Sequence, residues 1–437
     1  MKVHSMDALS PHSHVSSCLG RPRCRASRQC ARMAPRLHAC ATFAANNKLP
    51  NTFSTVARQA AAAALAAVFA MTTADTPAVA ALLNPNTRLP RTGEVALRRS
   101  VPVVNKETGE LQSSLEEVLY LLRIPQRKPW GSMAGSVEAC KRIVAGEREN
   151  ILAAVPSGAK RDSAAATLAG LTAKLDSVLA ALAATDADAT ASRISTVLND
   201  VAALELAQAP GLPYLLPAQY ASRPRLSGRA VAEVTVERRD GSTFEAMSDG
   251  RGPQRTGKML VVLDGYNAPL TAGNWAALAR RGFFTGTALQ ALPADEAVMA
   301  LPPKDSPLPL KTVPLEMRPQ DEFEPRYRVP LNVQDGDSLP VLPLSVYGAV
   351  AMAKNGSDSD GSQWFMYRYA RRTAGLGGLA FEEGSYSVFG YVVDGLDLLR
   401  QLRSGDVVKE VRLVEGAENL VEQALPAAEG PLTIRAS

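Results

Sequence analysis

Ala230-Val231-Ala232-Glu233-Val234-Thr235-Val236-Glu237 is where the chain changes its period. Ala230, Ala232, Val234 and Val236 alternate with Val231, Glu233, Thr235 and Glu237, so a strand here carries one small apolar face and one mixed face. Asp240-Gly241 follows at once, a strong hairpin signal, and predicts a return strand from Thr243-Phe244. Further short strands are expected at Met259–Leu263, Val350–Ala353, Trp364–Tyr369, Ser387–Val392 and Val407–Leu413. Many short strands with few helices argue for a closed barrel, which abolishes exposed sheet edges.

Upstream of that stretch the period is helical. Leu115, Val118, Leu119 and Leu122 repeat at i, i+3, i+4, i+7. Leu168, Leu171, Leu175, Val178 and Leu182 continue the pattern, as do Ile194, Val197, Leu198, Val201 and Leu204. Such stripes need a partner face. Ile124-Pro125 ends one helix and Val155-Pro156-Ser157-Gly158 separates two others. The reading is a helical bundle within 81–208, irregular before about 111. A proline-stiffened linker or docking segment follows at 209–228, then a barrel over 229–437.

The first 80 residues are read as an address. Residues 1–50 are rich in Arg, Ser, Ala and Cys and nearly free of acid, which is transit-peptide composition. Arg58 then precedes an apolar run, Ala60 to Ala70, closed by Ala78-Val79-Ala80, an A-x-A cleavage pattern. The run is 11 residues, short of the ~20 needed to span a bilayer. A transit peptide followed by a signal peptide predicts delivery to the chloroplast thylakoid lumen, with cleavage near Ala80 and no transmembrane segment afterwards.

Placing the charges and the reactive side chains excludes several function classes. The formal net charge is +5, but residues 1–80 hold nine of the 48 Lys and Arg and two of the 43 Asp and Glu. The remainder carries 39 basic and 41 acidic residues, which lacks the basic stripe a nucleic-acid partner requires. All four histidines (His4, His12, His14, His38) and four of the five cysteines lie in the first 80 residues, leaving Cys140. No Ser-His-Asp or Cys-His mechanism, His/Cys zinc site or internal disulfide can then be built. No G-x-x-x-x-G-K-[ST] loop is present. Neither a cofactor nor a metal is expected.

Four short motifs in the β-rich half occur in a family order. Pro269-Leu270-Thr271-Ala272-Gly273-Asn274-Trp275 resembles the cyclophilin P-x-T-A-x-N-F segment, with Thr271 expected as the N-cap of a helix. Phe284-Thr285-Gly286-Thr287 resembles the Y-x-G-S/T turn. Gly361-Ser362-Gln363-Trp364-Phe365 resembles G-S-Q-F-F, and Val388-Phe389-Gly390-Tyr391-Val392-Val393-Asp394-Gly395 resembles V-F-G-x-V-x-x-G. The match covers roughly 258–415, with an insertion at about 292–348. The stretches Tyr120–Trp130 and Pro340–Ala353 resemble the multidomain lumenal cyclophilins that carry a helical domain in front of the barrel. The implied fold is an amino-terminal all-α helical bundle followed by a cyclophilin-like closed antiparallel β-barrel with a few helices.

The resemblance implies a peptidyl-prolyl cis-trans isomerase or folding helper. Such an enzyme lowers a rotation barrier of roughly 18–20 kcal/mol without cleaving a bond. It needs an apolar slot for the proline ring and a donor to the prolyl nitrogen. Cyclophilins supply that donor from an Arg just after the Y-x-G-S turn. By the motif's spacing that position is Ala291, and the family's Q-G-G-D is replaced by Leu292-Pro293-Ala294-Asp295-Glu296. Met352, Ala353, Gln363 and Phe365 match pocket positions. The pocket Trp falls on Phe381 and the pocket His on Tyr386. Gln290 is an alternative donor. Arg368, Arg371 and Arg372 are read as solvated, and Gly375–Gly378 as a flexible tip.

Two functions stay open at this point. One is a weak isomerase acting on proline-containing segments of lumenal or thylakoid membrane proteins. The other is a non-catalytic peptide-binding and assembly factor for thylakoid membrane complexes. Both include an intramolecular contact between the helical domain and the barrel.

Overall fold

The computed structural model describes residues 89–422 other than 125–126, 210, 246–251, 293–295, 303–311 and 370–378. The address segment therefore lies outside the described residues. The first helix, α1 (Gly93–Ser100), falls inside a stretch expected to be irregular. Thr92 caps it, accepting from the Val95 amide at 3.3 Å. The next is α2 (Lys106–Arg123), whose cap Asn105 accepts from the Thr108 amide at 3.0 Å. Then come α3 (Trp130–Gly146), the short α4 (Arg148–Ala153), α5 (Ala159–Ala183) and α6 (Ala187–Gln208), the last capped by Asp186. The apolar stripes on α2, α3, α5 and α6 close on one another as a four-helix bundle with its own core. α5 is long and apolar enough to pass as a membrane span by composition. Its Leu168, Leu171, Leu175 and Val178 are buried in that core.

The second core belongs to the barrel. β1 (Arg225–Leu226) leads into β2 (Arg229–Glu237), whose alternation is as read: Ala230, Ala232, Val234 and Val236 are buried. The return strand is not at Thr243-Phe244. β2 pairs over nine residues with β3 (Thr256–Asp264), and Phe244 makes only an isolated bridge to Gln254. Asp240-Gly241 is a turn inside that long connection, held by Asp240 accepting from the Ser242 amide at 3.0 Å.

Helix α7 (Pro269–Arg280) starts with proline in its first turn, so Thr271 is not the cap. Trp275 from this helix is fully buried and stacks on Phe284 at 5.3 Å, with Trp364 edge-on at 5.5 Å. β4 (Ala288–Ala291) and β5 (Ala297–Leu301) follow. β5 lies within the expected insertion, yet it is a barrel strand paired with both β4 and β10. The true excursion is thus shorter. It holds the small strands β6 (Val313–Pro314), β7 (Glu316–Met317) and β8 (Arg326–Tyr327). Then come β9 (Ala349–Asn355), β10 (Asp358–Tyr367), β11 (Val388–Asp394), α8 (Leu396–Gln401), β12 (Val407–Glu415) and β13 (Leu420–Val421). The order β5-β4-β12-β2-β3-β11-β9-β10, with β10 returning to β5, is a closed antiparallel eight-stranded barrel.

Buried carboxylates pin the excursion and the junction. Glu316 accepts from the Leu270 and Thr271 amides and the Thr271 hydroxyl at 3.3, 2.9 and 2.9 Å, satisfying orphan donors of α7. Burial pushes its pKa up to about 7. Helix α1 joins the two cores. Its Ala96 and Leu97 are buried in the barrel core, against which α1 packs on β11. Gly93 permits this, since a Cβ there would stand 2.6 Å from that of Tyr391. Ser100 donates to Asp264, and its carbonyl accepts from Asn267 Nδ2 at 2.8 Å. On its bundle side Arg98 reaches Glu116 at 3.5 Å and Asn199 at 3.4 Å. Glu205 of α6, 1% exposed, sits beside this network. The Gln112 amide, oriented to satisfy both its ends, donates to the two Glu205 oxygens at 2.8 and 3.2 Å.

Candidate functional site: the outer face of the barrel

Three cross-strand rows fix which side chains share a face, because directly paired residues project together. Leu289 pairs with Ala300, Ala300 with Trp364, and Trp364 with Met352. All four are 2% exposed or less, so this row points into the barrel. The next row is Gln290, Met299, Phe365 and Ala351, the last paired with Val388. Gln290 is exposed and Met299 half-buried, and the row alternates with the inward one, so it faces outward; Phe365 within it is buried at 5% exposure. The third row is Ala291, Val298, Met366 and Val350, whose last three members are fully buried.

These rows sort the expected residues. Phe365 and Gln363 lie two apart on β10 and share the outer face, as Ala351 and Ala353 do on β9. Met352 does not belong with them: it lies in the inward row beside Trp364 and is fully buried. The position counted as the donor's, Ala291, falls in the third row, one step from Phe365. Gln290 stands in line with Phe365 instead. Among the described residues, no member of that line is charged.

The floor is held from both sides. Asp360 Oδ1 accepts from the Ser362 and Gln363 amides at 2.8 Å each, and Asn274 Nδ2 donates to the Gly361 carbonyl at 2.8 Å. The Gly-Ser-Gln turn is thereby tied to α7. Phe365 meets Tyr386 edge to face, centroids 5.1 Å apart at 82°. The Lys354 ammonium lies 4.7 Å from the centre of the Tyr386 ring and 3.7 Å from Glu382. Burial raises the Tyr386 pKa, so its hydroxyl stays protonated. Phe381 does not close the slot: it is 75% exposed.

Met299 and Lys354 were not read from the sequence. The apolar run Ala297–Leu301 was the available signal for Met299, but with every position apolar it does not say which face Met299 takes. Arg368, expected to be solvated, is buried and donates through Nε to the Leu399 carbonyl at 3.0 Å and through a second nitrogen to Leu402, capping α8. Arg371, Arg372 and Gly375–Gly378 lie outside the described residues. Cys140 is buried in the bundle, which pushes its pKa up to about 11, so it is no nucleophile. Among the described residues no three His, Cys, Asp or Glu side chains converge as metal ligands would. A cleft of about 470 Å³ opens elsewhere, between Arg99, Glu116 and Glu117 of the helices and Arg318, Gln320 and Val341 of the excursion. It is polar, with Arg99 and Glu116 paired at 2.6 Å along its helical wall, and is no slot for a proline ring.

Comparisons with known proteins bear on both the barrel and the bundle. Residues 252–418 match the cyclophilin type peptidyl-prolyl cis-trans isomerase family. Residues 92–208 match the PsbQ-like domain of CYP38-like peptidyl-prolyl cis-trans isomerases. The chloroplastic peptidyl-prolyl cis-trans isomerase CYP37 of Arabidopsis thaliana is 44% identical over 349 residues, covering 79% of this chain and 74% of that protein. A Synechocystis protein named as a thylakoid lumen peptidyl-prolyl cis-trans isomerase is 31% identical, covering 74% of this chain and 83% of that one. Chloroplastic CYP38 of Arabidopsis thaliana is 30% identical, with coverages of 77% and 76%. The chain belongs to the cyclophilin-type peptidyl-prolyl cis-trans isomerase family, in the chloroplast thylakoid-lumen group that carries a PsbQ-like helical domain before the barrel.

Proposed function

We propose that the chain binds proline-containing peptide segments on the outer face of its barrel and acts on them as a weak peptidyl-prolyl cis-trans isomerase. Its clients on this reading are lumenal proteins or lumen-facing segments of thylakoid membrane proteins. The observation that carries it is the row Gln290–Met299–Phe365, an apolar floor ending in one neutral amide. A proline ring laid on Phe365, between Met299 and Tyr386, needs only apolar contact. Rotation about the X–Pro bond is slow because the prolyl nitrogen lone pair is conjugated with the carbonyl. A donor aimed at that nitrogen draws the lone pair out of conjugation and lowers the barrier.

A guanidinium makes a charge-assisted bond, roughly twice as strong as a neutral one. Loss of one preorganised donor costs about 3–4 kcal/mol, a factor of roughly a hundred to a thousand in rate. The Gln290 amide restores a fraction of that. Catalysis therefore falls well below that of an arginine-bearing barrel, while ring binding persists.

A second reading, a non-catalytic peptide-holding module for assembling membrane complexes, is favoured by the same row, in which no charged donor stands among the described residues. Exchange spectroscopy by NMR on a short Ala-Pro peptide, with the chain from residue 81, separates the two. Accelerated cis–trans exchange that is lost in Phe365→Ala supports the isomerase. Binding at Phe365 without acceleration supports the holding module, and no binding at all refutes both.

A further inference from the structure

The segment that joins bundle and barrel ends in an unusual exposure. Leu215 is 90% exposed and Phe323, from the excursion, is 61% exposed. Both adjoin Tyr214: Leu215 follows it in the chain, and the Tyr214 and Phe323 rings meet edge to face with centroids 6.3 Å apart. The base of the patch is rigid. Tyr214 is 7% exposed and its hydroxyl donates to the Tyr266 carbonyl at 2.9 Å. Two large exposed apolar side chains thus adjoin one anchored tyrosine, an arrangement suited to an interface anchor.

The chain segment that carries Phe323 is acidic, and Arg318, which lies near Tyr214, is half-buried. Residues 321–337 contain Asp321, Glu322, Glu324, Asp335 and Asp337 against Arg326 and Arg328. Both cations are already engaged. Arg326 donates to Glu322 at 2.9 and 3.1 Å and lies 3.8 Å from Asp337. Arg328 makes a bidentate pair with Asp358 at 2.7 and 3.2 Å. Asp321, two residues before Phe323, and Glu324, directly after it, are exposed and have no ion-pair partner among the described residues.

We infer that Leu215 and Phe323 form a docking site for a basic, apolar-anchored segment of a partner protein, with Asp321 and Glu324 selecting its Lys or Arg residues. Charge chooses this occupant over the others. An anionic lipid surface would be repelled by these carboxylates. A second copy of the chain would set the same carboxylates against themselves across a two-fold axis. A cationic segment neutralises them, and its apolar side chain covers Leu215 and Phe323.

The test uses the chain from residue 81 and two fluorescent seven-residue peptides. One alternates Lys with Leu and Phe; the other has Glu in place of Lys. Neither contains proline, so the slot at Phe365 is not engaged. The Lys peptide should bind at least tenfold more tightly than the Glu peptide, and its affinity should fall as salt is raised. Leu215→Ser with Phe323→Ser, and separately Asp321→Lys with Glu324→Lys, should each weaken the Lys peptide about tenfold or more. All four residues named are exposed or at the surface, so folding is spared, and unfolding midpoints within a degree of the parent confirm it. Equal affinity for the two peptides, or unchanged affinity in either double variant, overturns the inference. So does a dimer in sedimentation that the Leu215/Phe323 variant dissolves, or binding to vesicles of anionic lipid.

Discussion

Replacing Glu205 with Gln should remove part of the protein's pH dependence of stability. Glu205 is buried between α6, α2 and the α1 junction, and its pKa is pushed up to about 8. Burial is the main cause and the Glu116 carboxylate adds to it, while Arg229 and Arg98 pull the other way. In the unfolded chain a glutamate titrates near 4.3. Its folded pKa is raised, so the folded state takes up a proton that the unfolded state has released. The stability it gives is fully present below about pH 4 and is lost as pH rises through 8. One pKa unit is worth about 1.4 kcal/mol. Between pH 5 and pH 8 the loss is about 3.5 kcal/mol at most, reduced by the Gln112 amide, which favours the charged form. A glutamine mimics the protonated carboxyl and does not titrate. Denaturant unfolding of the chain from residue 81 should find E205Q close to the parent at pH 5 and more stable than it by about 1–3 kcal/mol at pH 8. A difference between the two that does not change with pH would refute the reasoning, as would a variant less stable than the parent at pH 8.

Three further outcomes are expected. Gln290→Arg should raise the rate of cis–trans exchange on an Ala-Pro peptide by about ten- to a hundredfold, whereas Ala291→Arg should leave it unchanged; the reverse result would mean that the strand meets substrate one residue out of the present register. A barrel cut at residue 226 loses α1, so Ala96 and Leu97 no longer fill its core and Asp264 and Asn267 lose buried partners; it should be less stable by about 3–6 kcal/mol than a chain that retains α1, read as a denaturant midpoint. Gly93→Ala places a methyl against Tyr391 and should cost about 1–3 kcal/mol in the same assay; no loss would mean that α1 shifts freely on β11.

The barrel was legible where one face of a strand is buried and the other is not. Ala230, Ala232, Val234 and Val236 lie in the core as their alternation requires. The bundle was legible for the same reason at period 3.6. The errors fall where local chemistry and long-range pairing diverge. Asp240-Gly241 does make a turn, but a turn signal does not name the partner strand. Nine paired residues with Thr256–Asp264 outweigh it. Helix α1 carries a cap and an acidic first turn, Thr92 and Glu94, which were readable. Eight residues are nonetheless too few to hold a helix alone, and what holds this one is Tyr391, Asp264 and Asn267, far along the chain. Strand β5 is five apolar residues beside an irregular stretch, a pattern equally open to a loop or a buried strand.

The strand positions of the candidate site were legible, but not their facing. Matching Gly-Ser-Gln-Trp-Phe puts Gln363 and Phe365 two apart on one strand, as they stand in β10. Counting from the Y-x-G-S-like turn to Ala291 supplies a distance along the chain and nothing about direction. In a strand a one-residue offset exchanges outside for inside, and the ladder gives Ala291 buried row partners while setting Gln290 beside Met299 and Phe365. Met352 errs the same way, one residue from Ala351 and Ala353 on the outer face. The chemical consequence is specific. A chain read by counting alone has a methyl group at the donor position and no chemistry to offer. If the proline ring rests on Phe365, as we propose, the pairing offers it the Gln290 amide along the same row. Whether the slot turns over its peptide or only holds it then depends on one neutral donor, which is why substitution at Gln290, rather than at Ala291, decides between the two readings.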